Sequence, residues 1–194
     1  MLNEKILVLM QDKEKGAKIQ KALANNGFHV VGMTDDPFSA LRILRSKEVH
    51  LTIIDSDLRK MSYHQFCDMI DYENLGPVIL TGTQAFHTFK ELPGSVYGLL
   101  TLPIVSEQLY TTIKMAVRQY KINSQLRDEV SSLRQKLSDR KVIDQAKRLL
   151  MEKDGISEDQ AYQKIRSISM NKRVSLRRVA DKIIDHLSLM KSNS

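Results

Sequence analysis

A single cysteine, Cys67, leaves no disulfide framework to staple this chain and suits a reducing compartment. No run of eighteen apolar residues occurs, and the N-terminus lacks the apolar core of a signal peptide. The chain is therefore expected to be soluble and cytoplasmic, with no membrane partner. There is no Walker loop, no GxGxxG and no nucleophile elbow. His29, His50, His64, His87 and His186 have no metal-ligand spacing among themselves or with Cys67. Cys67, between Phe66 and Ile70 on a predicted helix, reads as a buried thiol. No enzyme, no cofactor and no metal are expected. Proline and glycine are missing from Glu107 to Lys153, a gap that suggests an extended helix or coiled coil.

What is present is enough for a core, since 42% of the 194 residues are hydrophobic. The net charge of +7 is unevenly placed. Residues 1–105 hold 11 Lys/Arg against 12 Asp/Glu, a net of −1. Residues 106–137 hold 6 against 3, and residues 138–194 hold 13 against 8, so the excess of +5 at the end dominates. An acidic partner such as nucleic acid belongs there.

The first half alternates short β-rich runs with helical patterns. "KILVLM", "HVVGM", "LTIID", "PVILTG" and "YGLLTL" are candidate strands, and "KEKGAKIQKALANNG", "PFSALRILRSKE", "YHQFCDMIDYENLG" and "TQAFHTFKELPG" lie between them. "ILVLM" and "LTIID" are apolar throughout, as strands covered on both faces should be. Gly27 suits the end of the first helix. The expected class is α/β: a doubly wound (βα)5 domain over residues 1–120, followed by a coiled-coil helix (107–140) and an all-α three-helix bundle (139–190).

Asn123, Leu126, Val130, Leu133 and Leu137 fall on an a–d–a–d–a spacing, so a parallel homodimer is expected, with Asn123 as a buried polar a residue. In the last segment Ser157 and Gln160 form a capping box. Asn171, Lys172 and Arg173 read as a turn, and Ser175 as the cap of a final helix.

The order of strands and polar residues resembles the receiver domain of bacterial response regulators, a flavodoxin-like fold. That resemblance implies a phosphoacceptor at Asp55 and its hydroxyl partner at Thr81. The metal-binding acidic pair falls on Met10 and Gln11, the lysine on Leu102, the aromatic switch on Leu99, and the loop Pro and Gly on Arg59 and Tyr63. Asp12 and Asp57 are the nearest replacement acids. A thioether and an amide are poor ligands for a hard cation, so the expectation is a degenerate pseudo-receiver.

Asp139 to Ile184 resembles the ANTAR family of RNA-binding antitermination modules. The likeness is carried by Ile143, Gln145, Ala146, Lys147, Leu150 and Met151, then Gly155, Ile156, Ser157 and Ala161, then Arg173, Ser175, Leu176, Arg177, Val179 and Ala180. Arg148 departs from the pattern, standing where many members carry glycine. The resemblance implies binding of mRNA leader hairpins so that a terminator does not form. It also implies control by a ligand-sensing inhibitor protein that sequesters the regulator. Candidate RNA contacts are Ala146 (by close approach), Lys147, Arg148, Lys172, Arg173, Arg177 and Arg178. Tyr162 is the sole aromatic residue after Tyr120, which leaves no stacking platform and points to phosphate contacts. The competing readings are a DNA-binding response regulator, an antiterminator activated by phosphorylation of Asp55, and a protein–protein adaptor.

Overall fold

The computed structural model describes residues 4–82 and 91–192, with side chains as far as Leu187. The expected helix over 83–94 lies for the most part outside the described residues, and so does His87. The chain divides into two compact units, Met1–Ser124 and Gln125–Ser194.

The first unit is built on five parallel strands: β1 (Lys5–Leu9), β2 (His29–Thr34), β3 (Leu51–Asp55), β4 (Val78–Gly82) and β5 (Val96–Thr101), in the order β2-β1-β3-β4-β5. The helices are α1 (Lys13–Asn25), α2 (Pro37–Ser46), α3 (Tyr63–Glu73) and the first part of α4 (Ser106–Asp154). The apolar strand runs follow from helices on both faces of the sheet. Ile6, Val8 and Met10 point to one side and pack with Ile19 and Leu23 of α1 and Leu109 and Ile113 of α4. Leu7 and Leu9 point to the other and meet Leu41 of α2 and Phe66 and Ile70 of α3.

Each helix start carries its own signal. Asp12 caps α1, Asp36 caps α2 with proline in the first turn, and Ser62 with Gln65 forms a capping box on α3. At the end of α1 the cap is Asn26, and Gly27 follows it at φ +77°, a left-handed position that suits glycine. Gly98 has a different reason to be small: a Cβ there would lie 2.6 Å from Thr112 Cγ2 of α4. Cys67 is fully buried, and burial pushes its thiol up to about 12, so it packs as an inert apolar group.

The second unit joins the rest of α4 to α5 (Glu158–Lys172) and α6 (Leu176–Ser192). Gly155, at φ +63°, ends α4, and Ser157 with Gln160 forms the expected capping box on α5. The turn comes later than expected. Asn171 and Lys172 remain helical, and Arg173, at φ +51°, opens a three-residue connection to α6. Its core is Ala146, Leu150, Ala161, Ile165, Val179, Ala180 and Leu187. Among the described residues, no helix is long and apolar enough to cross a membrane.

Candidate functional site

Two places hold the residues singled out above. The first is the carboxyl edge of the sheet, where ligand sites of parallel α/β domains form. Asp55 and Thr81 are register partners at the ends of β3 and β4. Asp55 is only 4% exposed, and its Oδ1 accepts from the Asp57 N–H at 3.2 Å. The Thr81 hydroxyl is buried. It donates to the Ile54 carbonyl at 2.9 Å and lies 3.9 Å from the Met10 sulfur. Gln11 Nε2 donates to the Asp35 carbonyl at 2.5 Å.

Asp12 does not join this corner. Its carboxylate accepts from the N–H groups of Lys15 (3.1 Å) and Glu14 (2.8 Å), and these bonds hold it below the usual carboxylate range. Leu102 lies past β5 and lines an apolar cleft with Ile19, Ala22, Pro103 and Ile104. A Mg²⁺ ion at this corner would meet one carboxylate, a thioether and an amide, a donor set that does not fit a hard cation. Among the described residues, no three His, Cys, Asp or Glu gather as a metal cluster.

The second place is the surface of the second unit, where the structure separates the basic candidates. Ala146 has no exposed surface and packs against the other helices, so it presents nothing to a ligand. Lys147 is clamped between Asp144 and Glu158, each at 2.7 Å, and those two bonds raise its pKa. Arg148 is exposed beside it, in a cleft shared with Arg140, Lys141 and Gln145. Arg177 turns back to α4, reaching Asp139 at 2.8 Å and Ser138 Oγ at 2.9 Å. That bond lowers the Asp139 carboxyl. Arg173 is exposed at the turn, while Lys172 and Arg178 border a different groove.

The dimerisation candidates lie along α4. Leu126, Val130, Leu133 and Leu137 are between 46% and 61% exposed, which leaves an apolar ridge without cover from their own unit. Asn123 has a partner within its own chain: Nδ2 donates to the Tyr97 hydroxyl at 3.3 Å. Its amide is thus bonded within the first unit, while the exposed leucines and valine lie further along the helix.

Comparison with known proteins bears on both units. Residues 131–184 match the ANTAR domain family. The transcriptional regulatory protein PdtaR of Mycobacterium tuberculosis (strain CDC 1551 / Oshkosh) is 25% identical over 175 residues, covering 89% of this chain and 85% of that protein. The fold of the first unit is that of the signal receiver domain of a modulated diguanylate cyclase from Desulfovibrio desulfuricans G20. The TM-score is 0.56 at 20% identity, over 61% of this chain and 97% of that one. The low-resolution structure of response regulator StyR superposes with a TM-score of 0.58 at 16% identity, over 92% of this chain and 98% of that one.

The first unit has the receiver fold, and residues 131–184 are an ANTAR domain.

The ANTAR domain holds basic residues that sequence reasoning missed. The groove bordered by Lys172 and Arg178 also takes Lys153, Lys164, Lys182 and His186. The signal was available in the spacing. Lys164 and Lys172 on α5, and Arg178, Lys182 and His186 on α6, recur every four or eight residues and so share a helix face.

Proposed function

We propose that this transcription antitermination regulator acts by binding RNA. In this reading the ANTAR domain grips hairpins in transcript leaders so that a terminator hairpin does not form. The carrying observation is that the ANTAR match falls on the segment with the chain's net positive charge, 14 Lys/Arg against 7 Asp/Glu over residues 131–184. With Lys147 and Arg177 already shared with acids, exposed Arg148, Lys172, Arg173 and Arg178 remain for phosphates. Two copies joined along the Leu126–Leu137 ridge would present two such surfaces. The receiver takes no phosphoryl group and serves as a docking surface for an inhibitor protein. Its hydroxyl is spent on the Ile54 carbonyl, and its metal position is filled by Met10.

Gel shifts of the full chain with hairpin RNA and with duplex DNA test the central claim. Hairpin binding should be the tighter at matched salt, and the reverse order rejects it. Sedimentation equilibrium should give twice the 22.2 kDa chain mass, and a single-chain mass rejects the dimer.

Arg173 supplies a separate prediction. A non-glycine residue held in the left-handed region costs about 1–2 kcal/mol. Arg173→Gly should therefore raise the melting temperature of the ANTAR domain while weakening hairpin binding. A variant that melts higher and binds as before would remove Arg173 from the interface.

A further inference from the structure

We propose that the groove between α4, α5 and α6 is the pocket for an unstacked base of the hairpin loop, with its flanking phosphates held by Lys172, Arg178 and Lys182. The proposal rests on the reading that the chain binds RNA, and it names the part of the RNA that this groove takes.

The floor of the groove is apolar. Leu150 comes from α4, Ile168 from α5, and Val179, Ile183 and Leu187 from α6. Its volume of about 390 Å³ lies in the ~300–1,000 Å³ range of pockets that take small organic groups. The rim is cationic because of helical spacing. On α6 the column Arg178–Lys182–His186 runs beside the column Val179–Ile183–Leu187, so each turn offers one apolar and one basic or imidazole group to the same groove. On α5, Lys164, Ile168 and Lys172 repeat the pattern.

The charge excess of this rim is the larger: five Lys/Arg stand against one acid, while the other cleft has four against two. Beside Lys147 stand Asp144 and Glu158, which neutralise it. The one acid of the groove is Asp154, and it is held by Lys164 at 2.7 Å. Among the described residues, Lys172, Arg178 and Lys182 enter no salt bridge.

An apolar slot bordered by Lys172, Arg178 and Lys182, three cations outside any salt bridge, fits a ligand with a flat apolar part and closely spaced negative charge. A splayed-out nucleobase on its phosphodiester backbone is such a ligand, and proteins read single-stranded loops in this form. A second copy of the chain fits less well, because residues 125–194 hold 16 Lys/Arg against 10 Asp/Glu and would bring like charge to like. The absence of a Tyr or Phe platform is consistent with this design. The base is gripped by aliphatic side chains, with the His186 ring and the Arg178 guanidinium at the rim as groups able to stack.

The test uses the full chain and hairpins selected from a pool with a randomised loop. In the bound hairpins, 4-thiouridine at each loop position should cross-link to α5 and α6 peptides containing Ile168 or Ile183. Removing the base at the cross-linked position should cost about tenfold in affinity. Lys172→Gln, Arg178→Gln and Lys182→Gln should each lower the salt slope of binding by about one. Hairpins that bind but cross-link to Arg140–Arg148, with unchanged slopes in the three variants, overturn the pocket and leave RNA binding intact. A pool from which no hairpin is retained overturns both. If the three variants instead change the sedimenting mass of the RNA-free chain, the groove belongs to a second copy and the proposal fails.

Discussion

Replacing Met10 and Gln11 with aspartate and Leu102 with lysine should make Asp55 a phosphoacceptor. The native chain, incubated with a small phosphodonor and Mg²⁺, should take up no label. The triple variant should be labelled, and adding Asp55→Asn to it should abolish the label. The reason is the donor set at the carboxyl edge of the sheet. Met10 is 3% exposed, packs in the core with Ile6 and Val8, and touches the Thr81 hydroxyl through its sulfur. That side chain fills the place where carboxylate oxygens would have to gather around a hard cation.

The exchange carries a cost that makes the prediction more stringent. A carboxylate at a nearly sealed position costs several kcal/mol unless a cation pairs with it. Without Mg²⁺ the triple variant should therefore melt below the native chain, and rising Mg²⁺ should recover part of the loss by binding only the folded state. The native melting temperature should not move with Mg²⁺. Stoichiometric labelling of native Asp55 would refute the pseudo-receiver reading.

The corner was legible in the sequence because strand ends are fixed by apolar runs. "LTIID" is β3 from Leu51 to Asp55, and the β1 run ends where Met10 begins, so the residues standing at each edge follow directly. What the sequence did not carry was the use of each side chain. Asp12 looked available for a metal, but its position also makes it the first cap of α1, and two backbone N–H groups claim its carboxylate. The same limit applied in the ANTAR domain. Lys147 and Arg177 have an acid one turn away on their own helices, Asp144 and Asp181, whereas Glu158 and Asp139 belong to other helices and only bundle packing brings them within 3 Å. Lys164 and Lys182 were overlooked although their spacing announced a shared face. The α5–α6 turn is displaced from its most polar residues, since Asn171 and Lys172 complete the last turn of α5 before the left-handed Arg173.

Ala146→Leu should unfold the ANTAR domain at moderate temperature and leave the affinity of its folded fraction for hairpins unchanged. Ala146 on α4, Ala161 on α5 and Ala180 on α6 are all fully buried in one cluster, one small residue from each helix. Each is sealed in the shared core, so a larger side chain at any of them must push a neighbour away. Overpacking of this kind typically costs about 1–3 kcal/mol. A single core in a unit this small supplies only about 3–5 kcal/mol in total, so the change removes much of its stability. Circular dichroism melts should show the helical signal of the variant lost well before that of the native chain. Binding measured at low temperature, per folded molecule, decides between packing and contact. If Ala146 instead lay against RNA, the added side chain would weaken binding without lowering the melt. Arg148→Gln provides the opposite pattern as a control. That side chain is exposed on the same helix, two residues on, so its loss should reduce affinity and leave the melting curve in place.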